Sequence, residues 1–142
     1  MPDDINHPIL GFLKYDEGLN WYSADIESIE IPRLYLSLDE CADEAAFIES
    51  ASHKVASASR EFATAREAAV RLLDLANGEW LPAEALERDA DSFMSKLTVD
   101  SLTLYPDGSS EVMFHAGDLF AGHGVLVLLE PDGRASDPTL CG

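Results

Sequence analysis

The run Asp39–Gly78, DECADEAAFIESASHKVASASREFATAREAAVRLLDLANG, decides how the chain is read. Within it Ile48, Ala51, Val55, Ala58, Phe62, Ala65, Ala69, Leu72 and Ala76 recur at spacings of three and four, which draws one apolar stripe along a helix. Ser37 or Asp39 is placed to cap its start, with Glu40 three residues after Ser37 as a capping box, and Asn77-Gly78 is placed to stop it. As a single rod it would be about 57 Å long, against roughly 37 Å across for a compact domain of this size. The helix therefore either breaks, in the serine-rich stretch Ser50–Ser59, or protrudes and pairs with another chain. Five of the nine stripe residues are alanine, which suits close packing on a flat sheet better than a coiled-coil seam.

On both sides of this run the period falls to two. Leu34, Leu36 and Leu38 alternate with Tyr35 and Ser37 as a half-buried strand, with Pro32 near its start, so that it begins near Arg33 or lies at an edge. Ile9–Tyr15 and Trp21–Ile26, joined by turn residues that include Gly18, read as a hairpin. After the long run, Pro82 is a good first helical residue, and Ala83–Leu97 reads as one or two short helices with Asp91 as an internal cap. Val99–Tyr105, Glu111–His115 and Val125–Glu130 are strand-like again, and the turns Pro106-Asp107-Gly108 and Pro131-Asp132-Gly133 suggest a meander. Strands, then helices, then strands predict a single α+β domain over residues 1–142: a mostly antiparallel sheet packed against a long helix, continuous or broken, and one or two shorter helices.

Charge narrows the partners. The 142 residues carry 27 acids and 9 bases, a formal net charge of −18, which argues against nucleic acid or anionic lipid as a ligand. With 46% hydrophobic residues the chain has the apolar content to fold. Residues 1–44 hold 11 acids and 2 bases, residues 45–77 hold 4 of each, and residues 78–142 hold 12 and 3. The long helix is thus electrically balanced, with Glu67 and Arg71 spaced as an i,i+4 pair, and the negative potential belongs to the sheet, its turns and the cluster Glu84, Glu87, Asp89, Asp91. Asp3 and Asp4 stand where a secretory signal carries basic residues, and no apolar stretch reaches membrane-spanning length, so a cytoplasmic location is expected. Cys41 and Cys141, far apart and without a CxxC partner, read as reduced, ordinary thiols.

Chemistry has one candidate locus. Phe114-His115-Ala116-Gly117-Asp118-Leu119-Phe120-Ala121-Gly122-His123 sets two imidazoles and a carboxylate around a glycine-containing bend, and His115, Asp118 and His123 could act as acid and base or ligate a metal. The spacing matches no HxH, HxxxH or HExxH pattern, so no metal or other cofactor is expected. A structural reading of the same residues has Gly117 and Gly122 supplying unusual backbone angles, Asp118 accepting N–H groups of the loop and His123 donating into the turn. No GxSxG, SxxK, GxGxxG or GxxxxGK[ST] is present. Trp21, Tyr22 and Trp80 suit core anchors better than a pocket lining.

The run Tyr105-Pro106-Asp107-Gly108, Glu111-Val112-Met113-Phe114, Gly117-Asp118-Leu119-Phe120, Gly122-His123 and Cys141-Gly142 resembles the bacterial family called domain of unknown function 2262. That family similarly has a strand, a Gly-Asp-x-Phe-x-Gly-His loop, another strand and a terminal small residue followed by Gly. Leu10-Gly11 and Trp21-Tyr22 are similar to its opening hairpin. Ala116 and Ala121 depart from it, standing where an acid and an aromatic are expected. The resemblance implies a small bacterial cytoplasmic protein and assigns no activity.

Three functions follow as expectations. The first is an acidic protein-binding module, of the immunity or antitoxin kind, that neutralises a basic, nuclease-like partner through Glu84, Glu87, Asp89 and Asp91. The second is a metal-assisted enzyme built on His115, Asp118 and His123. The third is a structural protein that self-associates through the helical stripe, and the chain is expected to be a monomer or homodimer.

Overall fold

In the computed structural model, residues 3–26, 31–81 and 86–141 are described. Strands β1 (Ile5–His7), β2 (Gly11–Asp16), β3 (Trp21–Ile26), β4 (Ile31–Ser37), β5 (Thr98–Leu104), β6 (Ser110–His115), β7 (Gly124–Leu129) and β8 (Thr139–Cys141) lie side by side in sequence order in one sheet. Neighbours are antiparallel except β4 and β5, which run parallel with Leu34 opposite Leu102 and Leu36 opposite Leu104. Parallel neighbours cannot be joined by a tight turn. The chain from Leu38 to Leu97 therefore makes a crossover, and it contains the helices of the described residues: α1 (Glu44–Ala56), α2 (Ala58–Ala69), a 3-10 turn (Val70–Leu72), α3 (Leu73–Leu75), a π turn (Ala76–Trp80) and α4 (Ala90–Ser95).

This overturns the expected fold class. The molecule is a mixed, eight-stranded, mostly sheet structure with short helices, not a mostly antiparallel sheet packed against a long helix. The alternation of Leu34 and Leu36 describes a half-buried strand equally well beside a parallel or an antiparallel neighbour, so the sequence carries no sign of the partner's direction. Pro32 falls inside β4, which is flanked on both sides and is not an edge. The meander from β5 to β8 and the β2–β3 hairpin are present, while β1 and β8, three residues each, are too short to show a period.

The helical run breaks at Ser57, inside the serine-rich stretch. Its backbone leaves helical geometry (φ −113°, ψ 19°), and its N–H turns back to the Lys54 and Val55 carbonyls. The 13 residues of α1 span about 20 Å, so the break resolves the excess length. The N-cap is Asp43, whose carboxylate accepts the Ala46 N–H at 3.1 Å, not Ser37 or Asp39. Asn77-Gly78 does not stop the run but lies within the π turn. In the second half of the crossover the cap is Asp89, accepting from the Ser92 N–H at 2.8 Å, not Asp91; Pro82 and its three successors lie outside the described residues.

Eight of the nine stripe residues are buried, and Leu72 is partly so. They share one core with alternate strand residues: Tyr22 and Ala24, Leu34 and Leu36, Leu102 and Leu104, Val112 and Phe114, Val125 and Val127. The stripe is thus packed in the core. Ala65 and Ala69 are fully enclosed, and α2 lies across β7, so small side chains set the approach of helix to sheet. Ala65→Leu should destabilise the fold by about 1–3 kcal/mol through overpacking. Ala63→Leu, one residue pair away on the exposed side, should stay within about 0.5 kcal/mol. Urea denaturation of both variants checks this, and equal effects would place the helix face elsewhere.

Candidate functional site

The loop after β6 does not assemble acid, base and metal ligand. His115 is exposed, and its Nδ1 accepts the Gly117 N–H at 3.2 Å. Asp118 pairs with Arg88 (3.4 Å) and Lys96 (3.6 Å), side chains of the crossover, in place of the loop's own N–H groups. His123 packs edge-on to Trp80, with ring centres 5.5 Å apart, and its backbone N–H closes a turn on the Phe120 carbonyl. Gly117 and Gly122 take φ of +57° and +91°, the left-handed angles the structural reading requires. Among the described residues no group of three or more His, Cys, Asp or Glu is placed to hold a metal ion. The loop's work is to seat Leu119 and Phe120 in the core, where Phe120 meets Phe93 and Trp80 edge-on.

The acidic cluster has a structural share. Glu84 lies outside the described residues; Glu87, Asp89 and Asp91 are exposed at the start of α4. Asp89 is spent on capping α4. Between them Arg88 turns inward, bound through its backbone to Asn77 and through its guanidinium to Asp118. Nor do Glu67 and Arg71 pair: Arg71 reaches Asp137 at 2.7 Å.

A larger concavity lies elsewhere among the described residues. A cavity of about 740 Å³ opens where β4 and β5 end, between the first turns of α1 and the turn from Tyr105 to Ser109. Phe47, Ala51 and Leu104 supply apolar walls. Asp39, Glu40, Asp43, Asp107 and Glu111 bring five carboxylates to it, and among the described residues none of them forms an ion pair. Lys54 is the cation of the lining, and its ammonium donates to the Gly108 carbonyl. Burial, reinforced by a hydrogen bond to Glu111, pushes the Tyr105 phenol well above its ordinary range, so it remains a donor. Burial also raises the Cys41 thiol, the opposite of what a nucleophilic cysteine needs.

The sequence reading missed this site because it assumed antiparallel strands. In open sheets, ligands gather in the crevice beyond the carboxyl ends of parallel strands. Only the parallel β4–β5 pair brings the segment Ser37–Asp43 beside the Pro106-Asp107-Gly108 turn. The available signal was the acid-rich run Asp39–Glu44, directly between a strand and a helix.

Asp107 yields a test of the rim. Its carboxylate accepts the Ser109 hydroxyl at 2.6 Å and the Ser109 N–H at 2.8 Å, which hold its carboxyl below the ordinary carboxylate range. A folded value below the unfolded one adds stability above the unfolded pKa, and that contribution is lost as pH falls through the folded value. Ser109→Ala removes the stronger bond and keeps the other, so the Asp107 titration should move up towards the ordinary value. An NMR pH titration reads the shift directly, and an unmoved midpoint would assign the effect to the backbone bond alone.

No curated protein and no solved structure matches the chain. Among the described residues no helix is long and apolar enough to cross a membrane. One family model, described as uncharacterized protein conserved in bacteria (DUF2262), matches residues 7–140, a span that takes in the opening hairpin, the crossover, the cavity walls and the Gly-Asp-x-Phe-x-Gly-His loop. The chain therefore belongs to this bacterial family, domain of unknown function 2262, as its C-terminal motifs implied.

Proposed function

We propose that this protein is an acidic binding module that docks on a basic protein and neutralises it, in the manner of an immunity protein or antitoxin set against a nuclease-like toxin. The observation that carries the reading is the carboxylate-rimmed cavity, in which four acids besides the N-cap Asp43 face a single ammonium already engaged by a backbone carbonyl. A net charge of −18 adds a one-signed field around it. Such a field speeds encounter with a positively charged surface and repels acidic competitors. A nuclease-like protein holds phosphates with Lys and Arg, and carboxylates at matching positions occupy those cations in the phosphates' place. Glu87 and Asp91, exposed at the start of α4, extend the negative surface.

The test immobilises the protein in a lysate of its source bacterium, with low-salt and then high-salt washes. One basic protein should be held in stoichiometric amount and released by salt, and it should be lost from the triple variant Asp39→Asn, Glu40→Gln, Asp107→Asn. With that partner in hand, Glu87→Lys with Asp91→Lys should slow association by about tenfold or more at low salt. Empty beads, or equal retention by wild type and the triple variant, would remove the reading.

A further inference from the structure

The sheet has a second face. The described helices share their core with Leu34, Leu36, Leu102, Val112 and Val127, and the residues between these along each strand turn the other way. One row of the second face runs in register from β2 to β7 through Lys14, Ser23, Tyr35, Thr103, Glu111 and Leu128. The row beside it starts at Phe12, which is 54% exposed, and reaches Met113 and Leu126, paired across β6 and β7. We propose that this face is the contact surface of a homodimer, in which a second copy of the chain lays the same face against it about a two-fold axis along the β4–β5 boundary.

Composition says that the face is covered. A strand with one side in water alternates apolar and polar residues, whereas a strand covered on both sides reads as an unbroken apolar run. β7, Gly-Val-Leu-Val-Leu-Leu, is of the second kind, yet the core shared with the helices takes up only its Val125 and Val127 side. At the opposite end of the face Trp21 and Tyr35 stack with ring centres 4.3 Å apart, close to the exposed Phe12, and aromatic residues are enriched at interface centres. Six strands about 4.8 Å apart give a patch of roughly 500–600 Å² in projection, and the relief of the side chains brings its accessible area towards the ~800 Å² that each partner of a stable interface buries. Charge selects the occupant. In a chain of −18, the two central rows hold Lys14 and Arg33 against Asp25 and Glu111 and are neutral, with Arg33 and Asp25 paired at 3.8 Å and with Asp16 and the β5 bulge residue Asp100 at the margins. Two copies that repel elsewhere can approach there. The signs are also divided, since both cations lie on β2 and β4 and Glu111 lies on β6. The two-fold axis sets β2 over β7 and β4 over β5 of the other copy, so that Phe12 falls on Leu126 and Lys14 comes beside Glu111, each contact made twice. Nucleic acid is repelled by the net charge and a basic surface by Lys14 and Arg33, which leaves the chain itself as the matching partner.

The experiment is sedimentation equilibrium of the full chain over a range of concentrations, at low ionic strength and at about 1 M salt, where charges are screened beyond about 3 Å. A monomer–dimer equilibrium is expected, tightened by about tenfold or more in high salt, because screening removes the repulsion between two chains of −18 while the apolar contact persists. Thr103→Lys, next to the axis, sets a cation against Arg33 of the other copy and should weaken the dimer by about tenfold or more. Phe12→Lys, at a position already more than half exposed, should do the same and serves where circular dichroism shows Thr103→Lys unfolded. Leu86→Lys, 90% exposed on the crossover, should leave the dimerisation constant unchanged. A chain monomeric at every concentration and salt would overturn the proposal and leave the face to another partner or to water. A dimer dispersed by salt, or one indifferent to both face variants, would overturn it as well, since its contact would lie on a different surface.

Discussion

The parallel pairing of β4 with β5 is the constraint from which the rest follows. Remaining neighbours in the sheet are antiparallel and can be joined locally; this pair alone obliges the chain to travel the length of the molecule before returning. The detour holds the helices and the π turn, and the apolar stripe that makes them worth forming is the same surface that covers the sheet. Because both strands run the same way, their carboxyl ends lie side by side, and the segment leaving one meets the turn leaving the other. The cavity is a product of that geometry, not a feature added to it.

A crossover of this length loses much conformational entropy on ordering, so it is pinned at several points. Near its start, Glu44 accepts from Tyr22 on β3, and burial with this bond pushes the Tyr22 phenol far above its ordinary range. Midway, Arg66 lies over the Phe114 ring on β6, 5.5 Å from its centre, and donates to the Leu97 carbonyl at 3.3 Å. Towards its end, Phe93, Phe120 and Trp80 meet edge-on, tying α4 and the π turn to the loop after β6. That loop's Gly-Asp-x-Phe-x-Gly-His motif is therefore accounted for by packing: Phe120 fills the core, Asp118 engages two cations of the crossover, and the glycines make the bend.

What the sequence disclosed and what it hid divide along a physical line. Periodicity is local, and it located the helical stripe and the strands β2 to β7; the break in Ser50–Ser59 was one of two alternatives that followed from the length of the run. Pairing direction is not local: Leu34 and Leu36 look the same beside either kind of neighbour, and the expected antiparallel sheet came from the order of elements alone. Caps were misplaced for a related reason. Ser37, Asp39, Asp43, Asp89 and Asp91 all have the right chemistry, and which of them caps depends on where the chain leaves the sheet. The candidate site suffered most, since the residues with striking chemistry, His115 and His123, sit in a structural bend, while the cavity is lined by acids whose significance depends on being brought together from positions 37–54 and 104–111.

The placement of charge bears on function more than its amount. Residues 45–77, which pack on the sheet, are electrically balanced. The excess lies in turns and strand ends, where water solvates it and folding does not require it. Dispersed there, it would serve solubility. At the cavity it is instead gathered on Asp39, Glu40, Asp43, Asp107 and Glu111, beside the apolar walls of Phe47 and Leu104. Lys54 is the cation of the described lining, and its ammonium is drawn to the Gly108 carbonyl. Folding uses part of that rim, with Asp43 capping α1, Asp107 holding Ser109 and Asp39 accepting from Asn20, and leaves Glu40 exposed to solvent.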